Sequence, residues 1–264
     1  MRDSTLAAAL TLALWTAVSS PSLHPQAGTP QQAPRVNQAA STLKVPDLSG
    51  NWGPSGKTVN NWFPNDPRGQ HPEQAPMTPW AEQRFKTAHP PFGANQTFEG
   101  INDPVQTYCD PPGVSRVYLY PWEFSFIQQP DTVYILYEYT RSWRAVAMNQ
   151  EHSRDPDSTW LGESVGRYEG DTLVIDTIGF NDKTWLDHLG HPHSDALHLV
   201  ERFRRLDHKT LELQVTVDDP KAYTKTFTGT KVFELSTSPM SEGICSMSES
   251  EAFQKHVIDP TTKK

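Results

Sequence analysis

The stretch TWLDHLGHPHSDALHLVERF, Thr184 to Phe203, contains His188, His191, His193 and His198, four of the ten histidines of the chain. Asp187, Asp195, Glu201 and Arg202 stand among them. Imidazole is the side chain whose charge changes near neutral pH, and a neutral histidine beside a carboxylate is the usual arrangement for a general acid or base. On that reading His193 and His198 are the candidate base and acid, and Asp195 and Asp187 are the carboxylates that orient them. Arg202 or Arg116 would face a developing anionic or carbonyl oxygen. This chemistry needs no cofactor. The same residues can also be read as metal ligands. His191, His193 and His198 follow the spacing H-x-H-x4-H, and in an extended segment residues two apart point the same way, so zinc or copper could be held there. A cupin site would need an acid in place of His198 and a further Gly- and His-bearing motif downstream, and neither is present.

The elements that must position this loop are strands. WEFSFIQ places Trp122, Phe124 and Phe126 on one face, and TVYILYEYT does the same with Val133, Ile135, Tyr137 and Tyr139, with a turn at Pro130-Asp131. SVGRYEGDTLVIDTIGF reads as two strands joined at Glu169-Gly170-Asp171. ALHLVERFRRL, TLELQVTVDD and YTKTFTGTKVFEL follow. In all, at least about seven strands joined mostly by short turns make an antiparallel meander. A meander of this length closes or folds over so that its edges are not exposed. Consecutive hairpins favour a lipocalin-like, calycin-type up-and-down barrel over a sandwich. The histidine loop is then its longest connection, about 15 residues where hairpins use roughly two to five, and long loops at the mouth of a rigid scaffold commonly carry function.

Before the strands, the fold starts at DLSGNW (Asp47 to Trp52) and continues as a Pro-rich irregular wrap with one short helix at TPWAEQRFKTA, capped by Thr78. YCDPPGVSR reads as a turn that leads into a strand and brings Arg116 to a core acid or a ligand. YEYTRSWR puts Glu138 in an aromatic strand, paired with an arginine or functional, and Tyr137, Trp143, Trp185, Arg116 and Glu138 are the candidate substrate-binding residues. GESVG (Gly162 to Gly166) matches the serine-hydrolase elbow, but a second strand follows where the elbow needs a helix, so Ser164 is read as a strand residue.

Composition bounds the rest. With 264 residues, 36% of them hydrophobic, the chain can bury a real core, and its 23 prolines demand much irregular or extended structure. A formal charge of −8 leaves no surplus of Lys and Arg for nucleic acid or an anionic membrane. The expected partner is a small molecule. Residues 1–19 have the parts of a secretory signal: Arg2, an apolar run of about 13 residues and small residues before the cleavage point, the run being too short to span a bilayer. A disordered Pro, Gln and Ala linker is expected over 20–46, and a single domain over 47–264. Export, to the periplasm or the medium, would let Cys109 and Cys245 pair as a disulfide. NQT at Asn95 is a glycosylation sequon.

The run GESVGRYEGDTLVIDTIGFNDKTWLDHLGHPHSDALHLVERFRR, with LELQVTVDDPKAYTKTF after it and DLSGNW and MTPWAEQRF before it, resembles a family of exported bacterial proteins. The resemblance covers most of the chain after the linker. It implies an exported single domain and makes the histidine loop part of the family pattern, but it brings no activity with it. The sequence therefore leads to an exported enzyme of the lyase, hydratase or isomerase type, holding a small, largely apolar or carbonyl-bearing substrate in a β-barrel. The alternatives are a non-catalytic carrier of a lipophilic ligand, and a metal-dependent hydrolase or metal-binding protein using the HPHSDALH loop.

Overall fold

The alternation read from the sequence is realised as nine strands: β1 (Asn51–Pro54), β2 (Phe124–Gln128), β3 (Thr132–Tyr137), β4 (Trp143–Met148), β5 (Glu163–Glu169), β6 (Thr172–Ile178), β7 (His198–Arg205), β8 (Thr210–Asp218) and β9 (Phe227–Ser236). In the computed structural model, which describes residues 45–55, 62, 76–91, 93, 96–97, 100–246 and 255, they form one closed barrel in sequence order. The barrel is lipocalin-like, and β1 closes it by pairing with both β2 and β9. Leu43–Lys264 make up one compact unit. The expected signal segment, the Asn95 sequon and the linker, apart from Val45 and Pro46, lie outside the described residues.

Strand parity decides what faces the interior. In β8, Leu211, Leu213, Val215 and Val217 are fully buried, whereas Glu212, Gln214 and Thr216 alternate outward. β7 follows the same rule, with Leu199, Glu201 and Phe203 inside and His198, Val200 and Arg202 outside. One pairing breaks the expected meander: β4 and β5 are parallel, through Val146↔Ser164 and Met148↔Gly166. Parallel neighbours need a crossover rather than a hairpin, and the segment 149–162 supplies it. The wall is thus mixed rather than wholly antiparallel. Ser164 sits in this β5–β6 region with its hydroxyl 3.0 Å from that of Thr177, as a strand residue.

Among the described residues there are three short helices where the sequence suggested one. α1 (Pro79–Lys86) is the expected one, with the Thr78 hydroxyl accepting from the Ala81 amide at 3.3 Å. α2 (Pro104–Tyr108) is capped by Asp103, which accepts from the Val105 amide at 3.0 Å. α3 (Val114–Val117) replaces the strand expected after YCDPPGVSR, because Gly113, at φ +77°, reverses the chain there. Tyr139, expected on the β3 face, lies instead in a tight 3-10 turn, Tyr139–Arg141, that reverses the chain into β4. No helix among the described residues is long and apolar enough to cross a membrane.

α3 delivers Tyr118 into the barrel. Its ring meets Phe124 edge-on at 5.2 Å and Phe203 at 5.7 Å, and its hydroxyl donates to Glu201 at 2.9 Å. Glu201 receives a two-pronged bond from Arg144, at 2.6 and 2.9 Å, and both side chains are almost wholly buried. Cys109 and Cys245 form a disulfide with their Cα atoms 5.5 Å apart, bridging a sequence separation of 136. In the chain-entropy model a loop of that size contributes about 4–5 kcal/mol.

Candidate functional site

The histidine loop runs from the end of β6 to the start of β7 and is not an exposed turn. Asp187, His188, His191, His193 and Ser194 are all buried. Its shape is set by local hydrogen bonds. The Asp187 carboxylate accepts from the amides of Leu189 (2.9 Å) and His191 (3.3 Å) and lies 2.6 Å from His191 Nδ1. The Ser194 amide and hydroxyl both donate to Asp219, at 2.6 and 2.7 Å, and the Tyr223 hydroxyl donates to the Pro192 carbonyl at 2.7 Å. The loop also closes against α1. Gly190, at φ +92°, lies where a Cβ would come within 2.5 Å of Ala88, so only glycine admits that approach.

This packing leaves one small opening, a cavity of about 220 Å³ lined by Arg84, Asn102, Lys183, Thr184, Trp185 and His193 together with their neighbours. At its wall His193 Nε2 lies 2.7 Å from the Thr184 hydroxyl, and His193 Nδ1 lies 3.2 Å from the Ser194 carbonyl. A carbonyl only accepts, so Nδ1 carries the proton and Nε2 is the acceptor for Thr184. Burial pushes the His193 imidazole below its ordinary value, against smaller opposing effects of the Ser194 carbonyl, Asp219 and Asp182, so the ring is neutral at pH 7. A hydroxyl aimed at a base that is itself held by a third group is the general pattern of an activated hydroxyl or a proton relay.

The structure brings some of the expected residues together and separates others. Trp185 lines the cavity beside His193. His198 does not: it stands on the outer face of β7 with Nε2 2.9 Å from Asp176, whose same oxygen also meets His152 Nε2 at 2.8 Å. These bonds hold the Asp176 carboxyl below its usual range although burial opposes them. His193 and His198 therefore belong to different networks. Arg202 is outside as well, 2.9 Å from Glu169. Asp195, expected to orient a histidine, is exposed and pairs with Lys221 at 2.9 Å. Asp187 orients His191, not His193 or His198, and His191 is stacked on Phe85 at 4.6 Å. His191, His193 and His198 thus do not converge, and among the described residues no group of three His, Cys, Asp or Glu is placed to hold a metal ion.

The other candidates are accounted for by packing. Arg116 is fully buried, forks onto the Asp103 carboxylate, and has Tyr120 and Trp185 rings 5.6 Å away. Its charge is thereby spent on a core acid, and Asp103 also caps α2. Among the described residues Glu138 pairs with no arginine: it accepts from the amides of Glu123 (2.8 Å) and Ser241 (2.6 Å), clasping the segment that follows β9. Tyr137 points into the barrel with its hydroxyl 2.9 Å from that of Tyr118, and burial pushes its phenol up to about 12. Trp143, expected to line a cavity, is on the outer wall and 58% exposed.

Thr184 is the residue that sequence reasoning missed. A threonine outside any motif carries no signal of its own, and only the fold of the loop sets it against His193. No protein-family model matches the chain, and no curated protein matches it.

Proposed function

We propose that this protein is an exported enzyme that carries out acid/base chemistry on a small carbonyl-bearing molecule, with His193 as the base and Thr184 as its proton relay. The observation that carries the reading is the neutral His193, its Nε2 bonded at 2.7 Å to a hydroxyl at the wall of a cavity large enough for a small metabolite. A proton leaving a carbon next to a carbonyl would pass through the Thr184 hydroxyl to Nε2 and return by the same route, giving isomerase, hydratase or lyase chemistry according to what departs. Lys183 and Arg84 stand at the rim, with Asp182 3.9 Å from Arg84, which leaves about one net positive charge for a carboxylate or enolate oxygen. The disulfide fits an oxidising compartment, which supports export.

The other two readings have less support. A lipophilic cargo would have to occupy a barrel interior already filled by Tyr118, Phe124, Phe126, Phe203 and Phe233. A metal-dependent hydrolase would need the loop imidazoles to converge, and they face different partners.

The test is exchange of carbon-bound protons in D2O, followed by NMR over a panel of small 2-oxo acids. Wild type is expected to exchange at least one of them, and Thr184→Ser to keep most of that rate. His193→Ala should lose about 10²- to 10⁴-fold. Exchange should also persist below the ordinary imidazole pKa, because the ring stays neutral there. Wild-type exchange that survives intact in His193→Ala would falsify the assignment, and so would no exchange with any member of the panel.

A further inference from the structure

The outer wall of the barrel carries a second concavity, far from the function just argued in chemistry and independent of it. β3 and β4 pair Tyr134 with Ala145 and Thr132 with Ala147, and these four face outward while Val133, Arg144 and Val146 face the core. Strand surfaces favour branched and aromatic residues, so two alanines in alternate positions leave a trough where side chains would normally stand. The crossover 149–162 forms the opposite bank with Asp157 and Thr159, and Glu163 at the start of β5 closes it, giving a groove of about 470 Å³. At one end Trp143, two residues before Ala145, leaves 58% of itself exposed and lies beside Tyr134 with ring centroids 5.9 Å apart.

The lining charge narrows the ligand class. No lysine or arginine lines the groove among the described residues, so it does not suit an anion. Glu163 is already engaged: it accepts from the Ser153 amide (2.7 Å) and hydroxyl (2.7 Å) and lies 3.1 Å from His152 Nδ1, and these contacts hold its carboxyl below the usual range. What remains is the carboxylate oxygens of Asp157 and Glu163, which accept from hydroxyl donors, the threonine hydroxyls, the exposed Trp143 ring and the half-buried Tyr134 ring; a cation is the competing ligand that these two carboxylates would also attract. We propose that this groove binds a neutral oligosaccharide. Pyranose rings present apolar C–H faces that pack on Trp143 and Tyr134, and their hydroxyls match Asp157, Thr132 and Thr159. The volume suits about two rings.

The experiment is isothermal titration of the full protein with neutral tri- and tetrasaccharides of glucose, N-acetylglucosamine and xylose, with spermine as the cationic control. At least one saccharide should bind. Trp143→Ala and the groove-filling Ala145→Gln should each weaken it by about tenfold, whereas His193→Ala should leave it unchanged. Both groove variants are at exposed positions, so the fold is retained. The proposal is overturned if no saccharide binds, if binding is equal in wild type and both groove variants, or if spermine binds and the saccharides do not.

Discussion

The barrel interior and the histidine loop both bury charged and titratable groups, but they dispose of them differently. Inside the barrel, Glu201 is met by Arg144 and Tyr118 together, and the Tyr137 hydroxyl completes the chain. The aromatic rings of Phe124, Phe203 and Phe233 surround Tyr118 within 6.4 Å. Nothing can enter without breaking that packing. At the loop, Asp187 and, from the turn after β8, Asp219 are equally well bonded, yet the loop they shape sets His193 and Thr184 at the edge of an open cavity. Burial of polar groups therefore does not mark the site here. On the function proposed above, access to a neutral base marks it instead.

The comparison can be broken most severely from within the barrel. Glu201→Ala leaves the buried Arg144 guanidinium without its counter-charge and should cost about 3–5 kcal/mol in urea unfolding, whereas the double variant Arg144→Met/Glu201→Leu should recover most of it. Recovery would make the interior pair a replaceable strut. Failure to recover would mean that the interior does something the loop alone was credited with.

A smaller effect, of opposite sign, is expected at Lys231, which is buried with its ammonium donating to the Tyr118 carbonyl at 2.6 Å. Burial pushes this lysine down to about 8, below the ordinary value of about 10.4. Between those values the unfolded chain binds the proton more tightly, so stability rises as pH rises through the window and is constant below it. Lys231→Met should stabilise the fold by roughly 1–3 kcal/mol at pH 7, with the gain fading as pH rises from about 8 and gone by about pH 10. A pH-independent gain would show that packing, not charge, is responsible.

The smallest effect sharpens the loop side. Asp195 is exposed and its partner Lys221 is half in solvent, so Asp195→Asn should change stability by less than about 0.5 kcal/mol. The proton exchange proposed for His193 should be unaffected. A large loss of activity would restore Asp195 as an orienting carboxylate and undo the present geometry.

The strands were legible because alternation has a physical cause that the sequence carries openly. Leu211 to Val217 announce their own faces, and the same parity in β7 already separates Glu201 from His198 and Arg202. That rule puts His198 and Arg202 together on the outer face of β7, away from the buried His193. The parallel β4–β5 pairing was not legible, since a 149–162 segment that crosses over and one that simply loops read alike in composition. The loop was recognised by its length and histidines. Its pairings were not, because Asp219 and Ala88 reach it only through the fold, as does the turn within the loop that sets Thr184 against His193.

The closure of the barrel by β1 has a kinetic consequence. Four residues near position 51 must pair with β9 near position 236, with all seven other strands between them in the chain. Until β9 exists, β1 has only its short seam with β2, two residue pairs long, and β8 presents an unpaired edge. The ring can be completed only after almost the whole sequence is available, and contacts of such long range are slow to form. The last seam to zip is therefore expected to be β1 with β9, with open edges until then that invite association between partly folded chains.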